Sequence, residues 1–253
     1  MSAPSAPVRL SIEPLTPNAF SAFGNVIANP SGSPSDWPST PASSSANQGT
    51  ATKYSDVSHL TNHYGLSPSH KPALPLISMF VCSPRPLVSA LDPGSTTLPY
   101  PGTTKTLRVP VLERHPYTTQ TFIPLGLSPS DRDSTYIVVV APTLMEYRSR
   151  PTPLTESLFR PKGPGRPDLS RAKAFVCHGG QAVTYAPGTW HAPMIVVGPK
   201  DVEFVVLQWG NGIAAEDCQE TELERDEAVL EVVVEEGAFG LRTGAGVGIR
   251  AKL

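Results

Sequence analysis

Gly180-Gln-Ala-Val-Thr-Tyr-Ala-Pro-Gly-Thr-Trp-His191 sets a glycine turn, a short apolar strand, a second turn and a histidine in close succession. A small β-barrel that closes around a pocket needs a tight turn to reverse the chain, then a side chain aimed inward just past the next turn. The stretch therefore predicts a strand over 182–185 and makes His191 the first candidate for a residue inside a cavity. Working outward, apolar and β-branched runs predict further strands over 76–82, 106–113, 119–124, 136–141, 172–176, 193–197 and 202–208, with a last one over 228–234.

Composition supports a mainly β chain. Among 253 residues, 29 are proline and 20 glycine. Proline has no backbone N–H and disrupts helices, but it suits loops between short strands. One short helix is expected where Thr16 can cap, Pro17 can open and Gly24 can end a turn bearing Phe20 and Phe23. The Ser/Pro-rich segment 29–47 and the Pro/Arg-rich segment 142–167 lack a period and are expected to be loop insertions in a single domain spanning 1–253. The glycine-rich tail 236–253 is expected to be extended and exposed. A net charge of −2, with no basic stripe, offers no field for nucleic acid or an anionic membrane. Cys82, Cys177 and Cys218 are too widely spaced for a zinc or redox pair and are expected to be reduced thiols. No signal peptide or membrane-spanning run is expected.

The quoted stretch resembles the second motif of cupins, in which Gly, five residues, Pro, one residue, Gly, two residues and His follow in order. Gly180, Gly188 and His191 fit, and Ala186 stands where the pattern has proline. Upstream, Glu113-Arg-His115-Pro-Tyr-Thr-Thr-Gln120-Thr-Phe-Ile-Pro124 resembles the companion motif, with Glu113 and His115 in the places of a His-x-His pair and Gln120 in that of a glutamate. Residues two apart on a strand share a face, so Glu113 and His115 are expected to point into one cavity. Arg114 between them is expected to face away, as a surface or interface ion-pair partner. The fold implied is a cupin-like double-stranded β-barrel, or jelly roll, with a short N-terminal helix and proline-rich loop insertions.

The same run from Glu113 to Pro124 is similar to a signature of ureidoglycolate lyases. Further stretches agree in order: 15–24, 46–54, 167–176, 188–193, 201–211 and 216–220. The resemblance implies cleavage of ureidoglycolate to glyoxylate and urea, a step of purine and allantoin nitrogen catabolism. That substrate carries a carboxylate, a hydroxyl and a ureido nitrogen on one carbon. A base must take the hydroxyl proton, an acid must protonate the departing nitrogen, and donors must hold the carboxylate. Histidine titrates near neutral pH and suits both proton transfers. The catalytic candidates are His191, His115 and Glu113; Gln120, Tyr185, Asn47 and Lys53 are candidate substrate contacts. His59, His63, His70 and His178 fall in turns and are read as solvated.

Many cupins hold a divalent ion through histidines and a carboxylate. Here that set would be Glu113, His115, Gln120 and His191. An amide in place of a charged ligand, and an elimination needing no redox step, favour catalysis without a cofactor while leaving room for a loosely bound ion. Two rival readings stand beside this one: a metal-dependent cupin isomerase or dioxygenase, and a non-enzymatic module binding a small carboxylate. The resemblance also implies a homodimer. The final Ala251-Lys252-Leu253 resembles a peroxisomal address read by an import receptor, so the expected location is peroxisomal or cytoplasmic.

Overall fold

The computed structural model describes residues 7–89, 105–144, 165–223 and 229–235. Strands β1 (Val8–Pro14) and β2 (Gly24–Ile27) flank a one-turn helix α1 (Pro17–Phe20), and β3 (Ser43–Ala46) and β4 (Ala51–Tyr54) form a hairpin. There follow β5 (Leu74–Cys82), β6 (Val88–Ser89), β7 (Lys105–Val109), β8 (Val111–Arg114), β9 (Gln120–Leu125) and β10 (Thr135–Ala141). The rest are β11 (Lys173–Cys177), β12 (Ala182–Tyr185), β13 (Trp190–His191), β14 (Ile195–Val197), β15 (Val202–Gly210), helix α2 (Ala214–Asp217), β16 (Gln219–Glu222) and β17 (Leu230–Val234). No helix among the described residues is long and apolar enough to cross a membrane.

The strands form two facing sheets. A large curled sheet runs β16-β8-β13-β10-β11-β1-β17-β7-β6, with β14 also on β10, and a five-stranded sheet runs β2-β12-β9-β15-β5. Strand β10 sits at the centre and is buried at every residue. Its period of two divides it between two cores. Tyr136, Val138 and Val140 face the interior between the sheets with Phe122, Phe175, Tyr185 and Phe204. Ile137, Val139 and Ala141 face the other side, covered by residues such as Leu107, Leu230 and Val232 from the curled-over strands. This is the expected cupin-like β architecture.

Local chemistry explains the details and the departures. Thr16 caps α1 as expected, its Oγ1 accepting the Ala19 N–H at 3.1 Å. The helix is only one turn long, and Gly24 opens β2 instead of ending a helix. Its φ is +151°, and a Cβ there would lie 1.9 Å from the Thr184 carbonyl oxygen, so no side chain fits where β2 pairs with β12. The strand expected over 106–113 breaks at Pro110, which has no N–H to donate; β7 pairs with β17, whereas β8 pairs with β13 and β16. Segment 29–47 is not all loop, because backbone pairing alone makes β3. The ends of the second insertion meet where Thr143 bridges Pro167, while 145–164 and the tail 236–253 lie outside the described residues.

Candidate active site

Three segments converge at one end of the space between the sheets. Strand β8 brings Glu113, β13 brings His191, and the two residues are register partners. Strand β9 opens with Gln120, which lies between Tyr185 of β12 and Gln208 of β15. The turn before β13 is tied directly to the first motif. Gly188, at φ +77°, donates its N–H to the His115 carbonyl at 2.9 Å, and its own carbonyl accepts from Thr143 Oγ1 at 2.7 Å. Ala186 has a reason to differ from the pattern's proline: its N–H donates to the Phe23 carbonyl at 2.9 Å.

His191 is 1% exposed. Its Nδ1 lies 3.0 Å from the Thr189 carbonyl, and its Nε2 lies 3.0 Å from Gln120 Oε1 and 3.4 Å from Glu113 Oε1. With oxygen at each nitrogen the ring can donate from either one, and from both in the charged form that Glu113 would stabilise. Gln120 is held in turn by its Nε2 donating to Gln208 Oε1 at 2.7 Å. With both amides turned over, Gln120 would instead donate to a neutral His191. Beneath the ring lies Tyr185, stacked at 3.9 Å and 10°.

His115 is arranged differently. Its Nδ1 lies 2.6 Å from the Asp217 carbonyl, which fixes the proton on Nδ1. Its Nε2 is buried without a partner at hydrogen-bond geometry, although the Gln120 side chain interacts with the ring and favours its charged form, and its ring centroid is 5.6 Å from that of His191. Burial, followed by the charge of His191, pushes His115 well below the usual histidine range and outweighs its hydrogen bonds and Glu113. His115 is thus a neutral ring whose Nε2 lone pair is buried on the side away from the Asp217 carbonyl. Burial pushes the Glu113 carboxyl up, but the His191 hydrogen bond and the charges of His191 and His115 together hold it below the usual range.

A second polar cluster fixes the Asp217 carbonyl. Tyr64 donates to Asp217 Oδ1 at 2.7 Å, and the N–H groups of Asn211 and Gly212 donate to the same carboxylate. Neighbouring Glu216 accepts from Ser69 and Asn211. Cys218, beside it, is pushed up to about 12 by burial and by Glu113, Glu220 and Asp217, so it remains a thiol.

The structure therefore brings Glu113, His115, Gln120, Tyr185 and His191 together. Arg114 does face the other way, but it is buried, not on the surface: its guanidinium lies 4.7 Å over the Trp190 ring and donates to Gln219 and Thr143. Asn47 and Lys53 lie on the exposed β3–β4 hairpin, apart from this cluster in the hydrogen bonds of the described residues. Gln208, Tyr64 and the Asp217 carbonyl escaped sequence reasoning. Gln208 had a signal, since it falls on the inward phase of β15 after Phe204 and Val206. A carbonyl carries none.

Glu113, His115 and His191 offer one ligand atom each, all within 4.8 Å of one another, and suit a divalent cation by type. The orphaned His115 Nε2 is free for such a bond; His191 Nε2 would have to exchange its oxygen partners for it.

The chain matches the sequence model of the ureidoglycolate lyase family over residues 7–231. It is 33% identical over 220 residues to the ureidoglycolate lyase of Schizosaccharomyces pombe, covering 87% of this chain and 93% of that one. It is 34% identical over 198 residues to that of Saccharomyces cerevisiae, covering 77% and 83%. For that of Burkholderia mallei the figures are 32% over 203 residues, covering 80% and 84%. A two-sheet β fold, paired histidines beside a carboxylate at one end of it, and these matches along most of the chain agree: the chain belongs to the ureidoglycolate lyase family.

Proposed function

We infer that the cluster of Glu113, His115 and His191 cleaves ureidoglycolate to glyoxylate and urea by general acid–base elimination. The observation that carries this reading is the unlike state of two adjacent histidines. One presents a buried, unpartnered Nε2, and the other faces oxygen at both nitrogens beside a carboxylate. His115 Nε2 takes the substrate hydroxyl proton. The O–H electrons become the second bond of the new carbonyl, the carbon–nitrogen bond breaks, and its pair goes to the ureido nitrogen. His191 Nε2–H protonates that nitrogen, and urea leaves. Exchange with solvent then returns a proton to His191 and removes one from His115.

Glu113 stabilises the imidazolium that donates, Tyr185 supports its ring, and the Gln120–Gln208 pair sets its orientation. Positioned acid–base catalysis of this kind is typically worth ~10²–10⁴-fold. A divalent ion held by Glu113, His115 and His191 would add Lewis-acid polarisation of the substrate's oxygens. Every step above uses side chains of the chain alone, and we propose that these suffice. We also propose that the chain works as a homodimer, for which the uncharged edge strand β5 speaks.

The test is product analysis with racemic ureidoglycolate and chelator-treated protein of measured metal content. Equal glyoxylate and urea, without ammonia, from one enantiomer supports the reading. Turnover only after metal is restored favours the metal-dependent alternative, and saturable binding without urea release favours a carboxylate-binding module.

A further inference from the structure

The segment 61–71, Thr-Asn-His-Tyr-Gly-Leu-Ser-Pro-Ser-His-Lys, forms no strand, yet its polar groups bond on two sides of the candidate site. On one side it grips the turn that runs from His115 to Gln120. Thr61 donates its N–H to Thr119 Oγ1 at 2.9 Å and accepts the Thr119 N–H at 3.2 Å, and the His63 N–H donates to the Tyr117 carbonyl at 2.7 Å. On the other side it holds the stretch that follows β15. The N–H and hydroxyl of Ser69 donate to the Glu216 carboxylate at 2.9 and 2.7 Å. Tyr64 lies between these anchors, 1% exposed, with its ring 5.9 Å from that of Tyr117.

The Tyr64 hydroxyl has two oxygens within reach, Asp217 Oδ1 at 2.7 Å and the Trp209 carbonyl at 3.1 Å. It has one proton to give, and the shorter contact to a carboxylate is the stronger bond. Burial, and then the bond to Asp217, push the phenol far above its usual range, so it remains a donor. The same carboxylate accepts the N–H groups of Asn211 and Gly212 at 2.8 Å each. Those two donors belong to the loop that carries Asp217 and move with it. Of the three, Tyr64 alone ties the carboxylate to a distant part of the chain, 153 positions away.

Asp217 is also the last residue of α2, a helix of four residues. One turn is too short to be stable by itself, and the carbonyls at a helix end have no partner within the helix. The Asp217 carbonyl takes its partner from His115, whose Nδ1 lies 2.6 Å away. That bond keeps the ring proton on Nδ1 and the lone pair on Nε2. A carbonyl on so short a helix aims correctly only if something outside the helix holds it.

We propose that Tyr64 is a positioning residue for the base: by holding the Asp217 carboxylate it holds the carbonyl that keeps the His115 proton on Nδ1. The inference rests on the lyase reading for the role of Nε2, while the control of the tautomer does not.

The experiment compares full-length wild type with Tyr64→Phe, Asp217→Ala, Asp217→Asn and the double variant Tyr64→Phe/Asp217→Ala, each checked for a cooperative melting transition. Imidazole nitrogen NMR reads the His115 tautomer without substrate. It is expected to show the proton on Nδ1 in the wild type and shared with Nε2 in Tyr64→Phe. In turnover of ureidoglycolate, Tyr64→Phe is expected to lose about 10-fold in kcat, the value of a hydrogen bond to a charged group, with KM unchanged. Asp217→Ala poses the same question from the acceptor side and is expected to lose as much, and the double variant no more than either, because both changes cut one link. Asp217→Asn keeps an oxygen for the Tyr64 hydroxyl and is expected to lose less than Asp217→Ala. Losses that add in the double variant, a loss confined to KM, or a His115 tautomer indifferent to both Tyr64→Phe and Asp217→Ala overturns the proposal. Wild-type protein that releases no urea, while Tyr64→Phe still moves the His115 proton, refutes the lyase reading alone.

Discussion

Strands β10 and β5 are both long apolar runs, Thr135–Ala141 and Leu74–Cys82, yet one is buried at every residue and the other is exposed at all but its last. The difference is not local. Strand β10 lies at the centre of the curled sheet with a core on each side, and its register partner at Val140 is His191, so the catalytic candidate is clamped by the most protected strand. Strand β5 is held on one side only, by β15, and its other edge is free among the described residues. An apolar run thus marks a surface that must be covered, without saying whether the cover comes from the same chain.

The most drastic way to break this comparison is to put the same charge in both strands. Val138→Lys strands an ammonium in the interior, at a cost of several kcal/mol from a stability of about 5–15 kcal/mol, and is expected to give no cooperative melting transition. Met79→Lys leaves the strand in place, and sedimentation is expected to show it at half the wild-type mass. A folded Val138→Lys, or an unaltered assembly of Met79→Lys, would remove the distinction.

Acid sharpens the contrast next, because titrating groups lie on the β10 side. The fold lowers both His115 and Glu113, so the unfolded chain binds more protons and stability rises with pH. Their contributions are complete above the unfolded values and are lost as pH falls, from about 6.5 downward for His115 and from about 4.3 downward for Glu113. A pH–rate profile is accordingly expected to hold its kcat/KM through pH ~6.5 and to decline only below it. An acid limb centred above that value would assign the base to another group.

The smallest effect concerns the turn that leads into β13. Ala186→Pro restores the commoner residue of the motif but deletes the bond to the Phe23 carbonyl, and is expected to cost about 1–2 kcal/mol in a melting measurement. A stabilised variant would show that this N–H is unimportant.

Much of this was legible in the sequence. The spacing from Gly180 to His191 marked the turn, and the alternation of β15 and the pairing of Glu113 with His115 placed strands and site together. What stayed hidden had physical causes. Strand β1 reads Val-Arg-Leu-Ser-Ile-Glu-Pro and is too mixed to stand out from loop, being defined by parallel partners on both sides. The hairpin β3–β4 is serine- and threonine-rich and has only its backbone bonds to announce it. The fixed tautomer of His115 depends on a carbonyl 102 positions away, which no residue type encodes.

The central claim is that His191 delivers a proton from a site built on β10. Its most direct test is turnover of ureidoglycolate by His191→Ala alongside its melting curve. The variant is expected to show a cooperative transition like that of the wild type, with urea and glyoxylate release down by ~10²–10⁴-fold. Near-normal release from the folded variant would contradict it.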